Sequence, residues 1–131
     1  MSRANVELVR AAYAHFNRTH APKLDMLAAD FQWHAREDYP DASTHVGHAG
    51  LEGLIAKWNA SFDDLRVEAD ELIDAGDHVV VRARICGQIR GTAQKVELPE
   101  VQVWKLRDGK GIEVRAYLTT AEALQAVGLG G

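Results

Sequence analysis

The chain has 131 residues, 47% of them hydrophobic and 26% charged, which is enough for one domain with its own core and too well balanced for a disordered chain. With 15 Lys and Arg against 19 Asp and Glu, the formal charge of −4 excludes general binding to phosphate backbones. No apolar run approaches a membrane span, the N-terminus lacks the apolar stretch of a signal peptide, and the single cysteine, Cys86, cannot form an internal disulfide. A reducing, cytoplasmic setting is expected.

The first segment reads as a helix, because Val6, Val9, Tyr13 and Phe16 recur at steps of three and four. Ser2 or Asn5 can cap its start. Pro22 suits the first turn of a second short helix that would face Leu24, Leu27 and Ala28 inward. Phe31-Gln-Trp-His-Ala alternates apolar and polar, as a short strand does. Residues 36–47 read as a polar loop. A third helix starts near His48 and carries Leu51, Leu54, Ile55, Trp58 and Phe62 on one face.

Beyond Asp64 the period falls to two. Residues 65–73, 78–87, 95–107 and 111–118 read as four strands. Turns lie at Asp74-Ala-Gly-Asp, at Gly91-Thr-Ala-Gln and at Asp108-Gly109. Pro99 inside the third of these strands requires a bulge or an edge. Thr119-x-x-Glu122 is a capping box before a short helix over 121–127. The whole of 1–131 then forms one α+β domain, with three N-terminal helices packed on a strongly curved mixed or antiparallel sheet and a short C-terminal helix. A sheet curled around helices leaves a conical cavity, a common ligand site.

Particular segments carry a family resemblance. They are Asn5-Val-Glu-Leu-Val-Arg-Ala-Ala-Tyr-Ala-His-Phe-Asn, Asp30-Phe-Gln-Trp-His, Gly47-His-Ala-Gly, Asp74-Ala-Gly-Asp-His-Val-Val-Val-Arg, Val103-Trp-Lys-Leu-Arg-Asp-Gly-Lys and Ala121-Glu-Ala-Leu. In this order they resemble the SnoaL-like proteins of the NTF2-like, or cystatin-like cone, superfamily. The resemblance implies the cone fold; it does not imply one activity, since this fold hosts isomerases, cyclases, epoxide hydrolases, dehydratases and proteins with no chemistry. Ketosteroid isomerases of this superfamily use a helix-1 tyrosine and a strand acid as an oxyanion hole, with an aspartate base. The resemblance puts these positions at Tyr13, Gln102 and Ala35. The electrophilic side is therefore kept and the base is lost. The acids and arginine of limonene-type epoxide hydrolases fall at Ala83, Ile85 and Ala116. The late aspartate of SnoaL-type cyclases has only Glu113 nearby, on the opposite strand parity.

Strand parity adds candidates of its own. If Gln102 faces the cavity, so do Glu100 and Trp104. A carboxylate on an apolar wall is pushed toward neutral pH and suits acid–base work; the structural alternative is a partly wet Glu100 paired with an arginine beside Pro99. Asp38 is the nearest other acid that can replace the missing base. Tyr13 reads either as a pocket donor or as a buried tyrosine with a polar partner. Trp33 and Trp104, with Phe16, Phe62, Val81, Ala83, Ala116 and Leu118, are the expected pocket lining; Trp58 reads as core. His34 faces away from the pocket if Trp33 faces in. Arg36 lies at the rim, as a handle for an anionic group or as a solvated charge. His45-x-x-His48, with Asp38 and Asp41 upstream, resembles a metal pair, but the intervening Gly47 and helix start leave no second ligand pair, and no metal or cofactor is expected.

Arg82 and Arg84 fall on the outer sheet face with Val80, Val101, Val103 and Tyr117, a mixture that suits a homodimer interface or ordinary cross-strand ion pairs. Cys86 shares that face and has no activating neighbour. The expected ligand is a small hydrophobic molecule. Three functions follow: a cofactor-independent isomerase, cyclase or dehydratase acting on a carbonyl-bearing metabolite; a binding module that does not turn its ligand over; or a subunit-association domain.

Overall fold

The structure is a computed structural model that describes residues 3–36 and 43–129. Helix α1 (Arg3–Thr19) buries Val9, Tyr13 and Phe16, the stripe set by its apolar spacing. After a 3₁₀ turn at Leu24–Met26 come strand β1 (Leu27–His34), the short strand β2 (Thr44–Val46) and helix α2 (Gly47–Ser61). Four long strands then follow: β3 (Phe62–Ala75), β4 (His78–Ile89), β5 (Lys95–Arg107) and β6 (Lys110–Tyr117). Helix α3 (Thr120–Ala126) closes the fold.

All six strands join one sheet in the order β2-β1-β6-β5-β4-β3. Every pairing is antiparallel except β1 with β6, which is parallel. Register shifts between Asp63 and Arg66 and between Ala69 and Glu71 break the β3–β4 ladder twice. Each extra residue bends its strand, and the sheet curls around α1 and α2. The main core fills the concave side, where Val9, Leu51 and Leu54 from the helices meet Phe31, Val79, Val81 and Val114 from the sheet. Gly111 lets β6 approach this core, because a Cβ there would stand 3.1 Å from the Trp104 ring and 3.2 Å from Leu27.

The expected second helix is only the 3₁₀ turn. Too few residues separate Pro22 from Leu27 to complete a helix that tertiary packing would hold, and from Leu27 onward the backbone pairs with β6 instead. The helix layer on the concave face therefore has two long helices, not three. The expected loop 36–47 contains β2, which pairs antiparallel with β1 through Trp33 and His45. Pro99 causes no bulge: the β4–β5 register runs unbroken from His78 with Lys105 to Gln88 with Lys95. Pairing with β6 begins only at Val101, so among the described residues no strand pairs with that side of β5 at Pro99, and a missing N–H costs no ladder bond there.

On the convex face, α3 covers Val80, Val101 and Val103, which pack on Ala123, with Tyr117 and Leu124 alongside. The apolar part of the face expected to form a dimer interface is thus covered by the chain itself. The remainder is ion-paired: Arg84 makes two bonds to Asp70, at 2.7 and 2.8 Å, and Arg82 bonds Glu71 at 3.0 Å. Cys86 lies among these groups, and burial raises its thiol pKa. Helix α3 starts at the capping box: Glu122 N donates to Thr119 Oγ1, and Thr119 N donates to Glu122 Oε1, both at 3.2 Å. Thr119→Ala is expected to cost about 1 kcal/mol. Hydrogen exchange should then quicken first in α3 and next at Val101 and Val103; unchanged exchange in α3 would show that packing alone holds it.

Candidate functional site

The concave side keeps a cavity of about 480 Å³ between α1, α2 and the sheet. That is within the range of small-molecule sites. Its walls are mostly apolar and aromatic, with Phe16 from α1, Trp33 from β1, Trp58 from α2, Phe62 at the start of β3 and Trp104 from β5. Trp33 and Trp58 meet edge to face with ring centroids 5.9 Å apart. Trp58, expected to be core, is thus also cavity wall.

One wall is polar. Glu100, Gln102 and Trp104 alternate on β5, so period-two parity turns all three inward. Tyr13 reaches them from α1. Trp104 Nε1 donates to the Tyr13 hydroxyl at 2.9 Å. The Tyr13 hydroxyl donates to Gln102 Oε1 at 2.5 Å. Gln102 Nε2 donates to Glu100 Oε2 at 2.7 Å. Glu100 is 4% exposed and Gln102 1% exposed, so this row of donors ends on a carboxylate deep in the protein. Burial pushes the Tyr13 hydroxyl well above the usual phenol range; the Trp104 N–H opposes this, and the negative charge of Glu100 adds to it.

Of the expected lining residues, Phe16, Trp33, Phe62, Trp104 and Ala116 border the cavity. Val81 and Ala83 do not: they share the face of Gln102 and Glu100 across the β4–β5 register, but they are fully packed in the main core, where α1 crosses β3 and β4. Leu118 is also outside the cavity, because β6 ends at Tyr117 and the chain bends before α3; its side chain is 54% exposed. Asp38 lies outside the described residues.

Arg36 is not a solvated rim charge. It is 9% exposed, borders the cavity, and its Nη1 donates to the Pro99 carbonyl at 3.5 Å. Ala35 borders the cavity beside it. His45 also lines the cavity and contacts Ser43 Oγ through Nε2 at 2.9 Å. The signal for His45 was the alternation Thr44-His45-Val46, which is too short to distinguish from loop without its partner strand. His48 is elsewhere, with Nε2 3.0 Å from the Leu27 carbonyl, and no cluster of three metal-ligating side chains occurs among the described residues. His34 and Glu113 sit on the outer face, 3.4 Å apart. Burial and Arg115 lower the His34 pKa, against the charge of Glu113. No described helix is long and apolar enough to cross a membrane.

A family model described as a SnoaL-like domain matches residues 9–114. No curated protein matches the chain. Solved structures do. An NTF2-like protein of unknown function from Burkholderia pseudomallei K96243 is 25% identical, with TM-score 0.76 over 97% of this chain and 98% of that one. TerC, co-crystallised with polyporic acid, is 28% identical, with TM-score 0.74 over 95% and 98%. A protein with a ketosteroid isomerase-like fold from Catenulispora acidiphila DSM 44928, in complex with trimethylamine, is 23% identical, with TM-score 0.75 over 94% and 93%, and shows the shared fold alone.

Proposed function

Because the chain belongs to the SnoaL-like family, whose fold serves many chemistries, we propose that its cavity binds a small hydrophobic molecule bearing a carbonyl or acidic hydroxyl, and that Glu100 moves a proton on it. The observation that supports this reading is a carboxylate only 4% exposed, bordering an apolar cavity and oriented by a row of buried donors. Such a group is a general base held in place before the ligand arrives. Tyr13 supplies the hydrogen-bond donor that stabilises charge developing on the ligand oxygen, and Gln102 stands between it and Glu100. The reaction class is a cofactor-independent isomerisation, cyclisation or dehydration. The co-crystallisation of TerC with polyporic acid supports an organic ligand for this chain.

A non-catalytic binding module is the second reading. It is favoured by Ala35, which borders the cavity where the resemblance to ketosteroid isomerases puts the base and which carries no titratable group. A homodimer through the outer sheet face would use the ion-paired strip around Arg82 and Arg84, and sedimentation of the purified chain tests it.

The test of the ligand reading is a titration with hydrophobic carbonyls, phenols and epoxides, followed by tryptophan fluorescence. Trp33, Trp58 and Trp104 all border the cavity, so an occupying ligand is expected to change their emission saturably. Product appearing with a ligand that binds supports the enzyme. Saturable binding with the ligand unchanged supports the module. No response from any class, in protein first extracted to remove a retained ligand, rejects both.

A further inference from the structure

The row of hydrogen bonds from Trp104 to Glu100 has only one possible direction while Glu100 is ionised. An indole N–H donates and never accepts, and a carboxylate accepts and never donates. With a pure donor at one end and a pure acceptor at the other, each group between must receive from one neighbour and give to the next. The Tyr13 oxygen takes the Trp104 N–H, so its one proton goes to Gln102 Oε1, and Gln102 Nε2 gives to Glu100. In this state Tyr13 has no proton to offer a ligand, although it borders the cavity.

Protonation of Glu100 removes that constraint. A neutral carboxyl can donate to a Gln102 oxygen. The amide then turns over by half a rotation, which exchanges its oxygen and nitrogen without needing new space. Its N–H₂ now donates to the Tyr13 oxygen, which already receives the Trp104 N–H, and the Tyr13 proton is released. We infer that Gln102 is a positioning residue that couples the two functional groups: when Glu100 takes a proton, Gln102 reverses and Tyr13 turns its hydroxyl to the ligand oxygen. The inference rests on the ligand-binding reading above. The proton balance is simple: one proton passes from ligand or solvent to Glu100, and every other proton in the row stays on its own heavy atom. The oxygen is thus stabilised in the same event that makes it negative. Loss of the Glu100 charge also removes one of the causes that hold the Tyr13 hydroxyl above its usual range, which makes it a stronger donor.

The test uses nitrophenols and nitronaphthols as probes, studied at pH values where they are already ionised; their colour reports whether they stay so when bound. A bound phenolate needs the Tyr13 proton and therefore a protonated Glu100. Wild-type affinity is expected to fall about tenfold for each pH unit above the Glu100 ionisation, with the bound probe still coloured. Glu100→Gln mimics the neutral carboxyl, so it should bind more tightly than wild type with a flat profile. Gln102→Met cannot relay and should also give a flat profile; a merely structural role for Gln102 would weaken binding and leave the slope in place. Among the described residues, the other ionisable groups bordering the cavity are Arg36 beside β5, His45 on β2, and Lys23 and Lys57. Arg36 stays charged throughout, and His45→Gln should keep the wild-type slope. A flat wild-type profile, a bound probe that loses its colour, or a slope that survives Glu100→Gln overturns the coupling and leaves the binding reading intact. Failure of every probe to bind overturns both.

Discussion

Glu100→Gln is expected to lower turnover by roughly 10²–10⁴-fold while the ligand still binds. The size of the effect follows from the composition of the cavity. Among the described residues that border it, Glu100 is the only carboxylate. Gln keeps the shape of the side chain and continues the hydrogen bonding with Gln102, so the fold and the walls should survive. What disappears is the ability to hold a transferred proton. The measurement is single-turnover kinetics on the ligand identified by fluorescence, with affinity determined separately, because a loss confined to the chemical step distinguishes a base from a binding contact. Turnover equal to wild type would move the base to Asp38, and Asp38→Asn would be the next variant. Absence of turnover in the wild type, with binding retained, would leave the module as the function.

Phe31→Ala carries the largest expected loss of stability, about 3–5 kcal/mol. Phe31 has no exposed surface, is the largest fully buried side chain among the described residues, and lies with its ring centroid 6.2 Å from that of Trp104. Its backbone is on β1, the strand that pairs parallel with β6. Parallel pairs bring distant segments together and depend on what packs over them, so the side chains of this strand bear much of its attachment. Against a total of about 5–15 kcal/mol for a domain, such a loss leaves a marginal protein. Urea unfolding should show a lower midpoint with an unchanged slope. A loss under about 1 kcal/mol would mean that neighbouring side chains close the hole. It would also predict a larger ligand cavity, because Trp104 lies against Phe31 and borders the cavity, and would draw back from the cavity to fill the hole.

Local pattern made much of this protein legible. The four- and three-residue spacing of Val9, Tyr13 and Phe16 describes α1 and its buried face. The period of two in residues 95–107 turns Glu100, Gln102 and Trp104 to the same side, a conclusion that needs only the pleat of a strand. The capping box at Thr119 is equally local, since its bonds join residues three apart. The resemblance to SnoaL-like proteins implied the cone fold; the strand order, with β1 beside β6, is contained in no local pattern.

Misread elements share one cause. Residues 24–28 have a helix-like spacing, and Leu27 joins a strand because β6, more than eighty residues later, offers its free edge. β2 is three residues long, and its alternation means nothing until β1 lies beside it. Leu118 keeps the parity of Ala116, yet the strand stops one residue short of it.

Spacing along the chain is enough to read the class of fold, the helical and strand faces, and the set of polar groups that share the inner side of β5. Tertiary structure alone decided which of those groups meet. Tyr13 and Gln102 are 89 residues apart, and their bond exists only because the sheet curls and brings β5 under α1. The same packing covers Val81 and Ala83 while leaving Glu100 at the cavity wall, and it lays α3 over Val80, Val101 and Val103. Parity assigns a side chain to a face of the sheet; whether that face is filled, covered or open depends on the elements that pack against it.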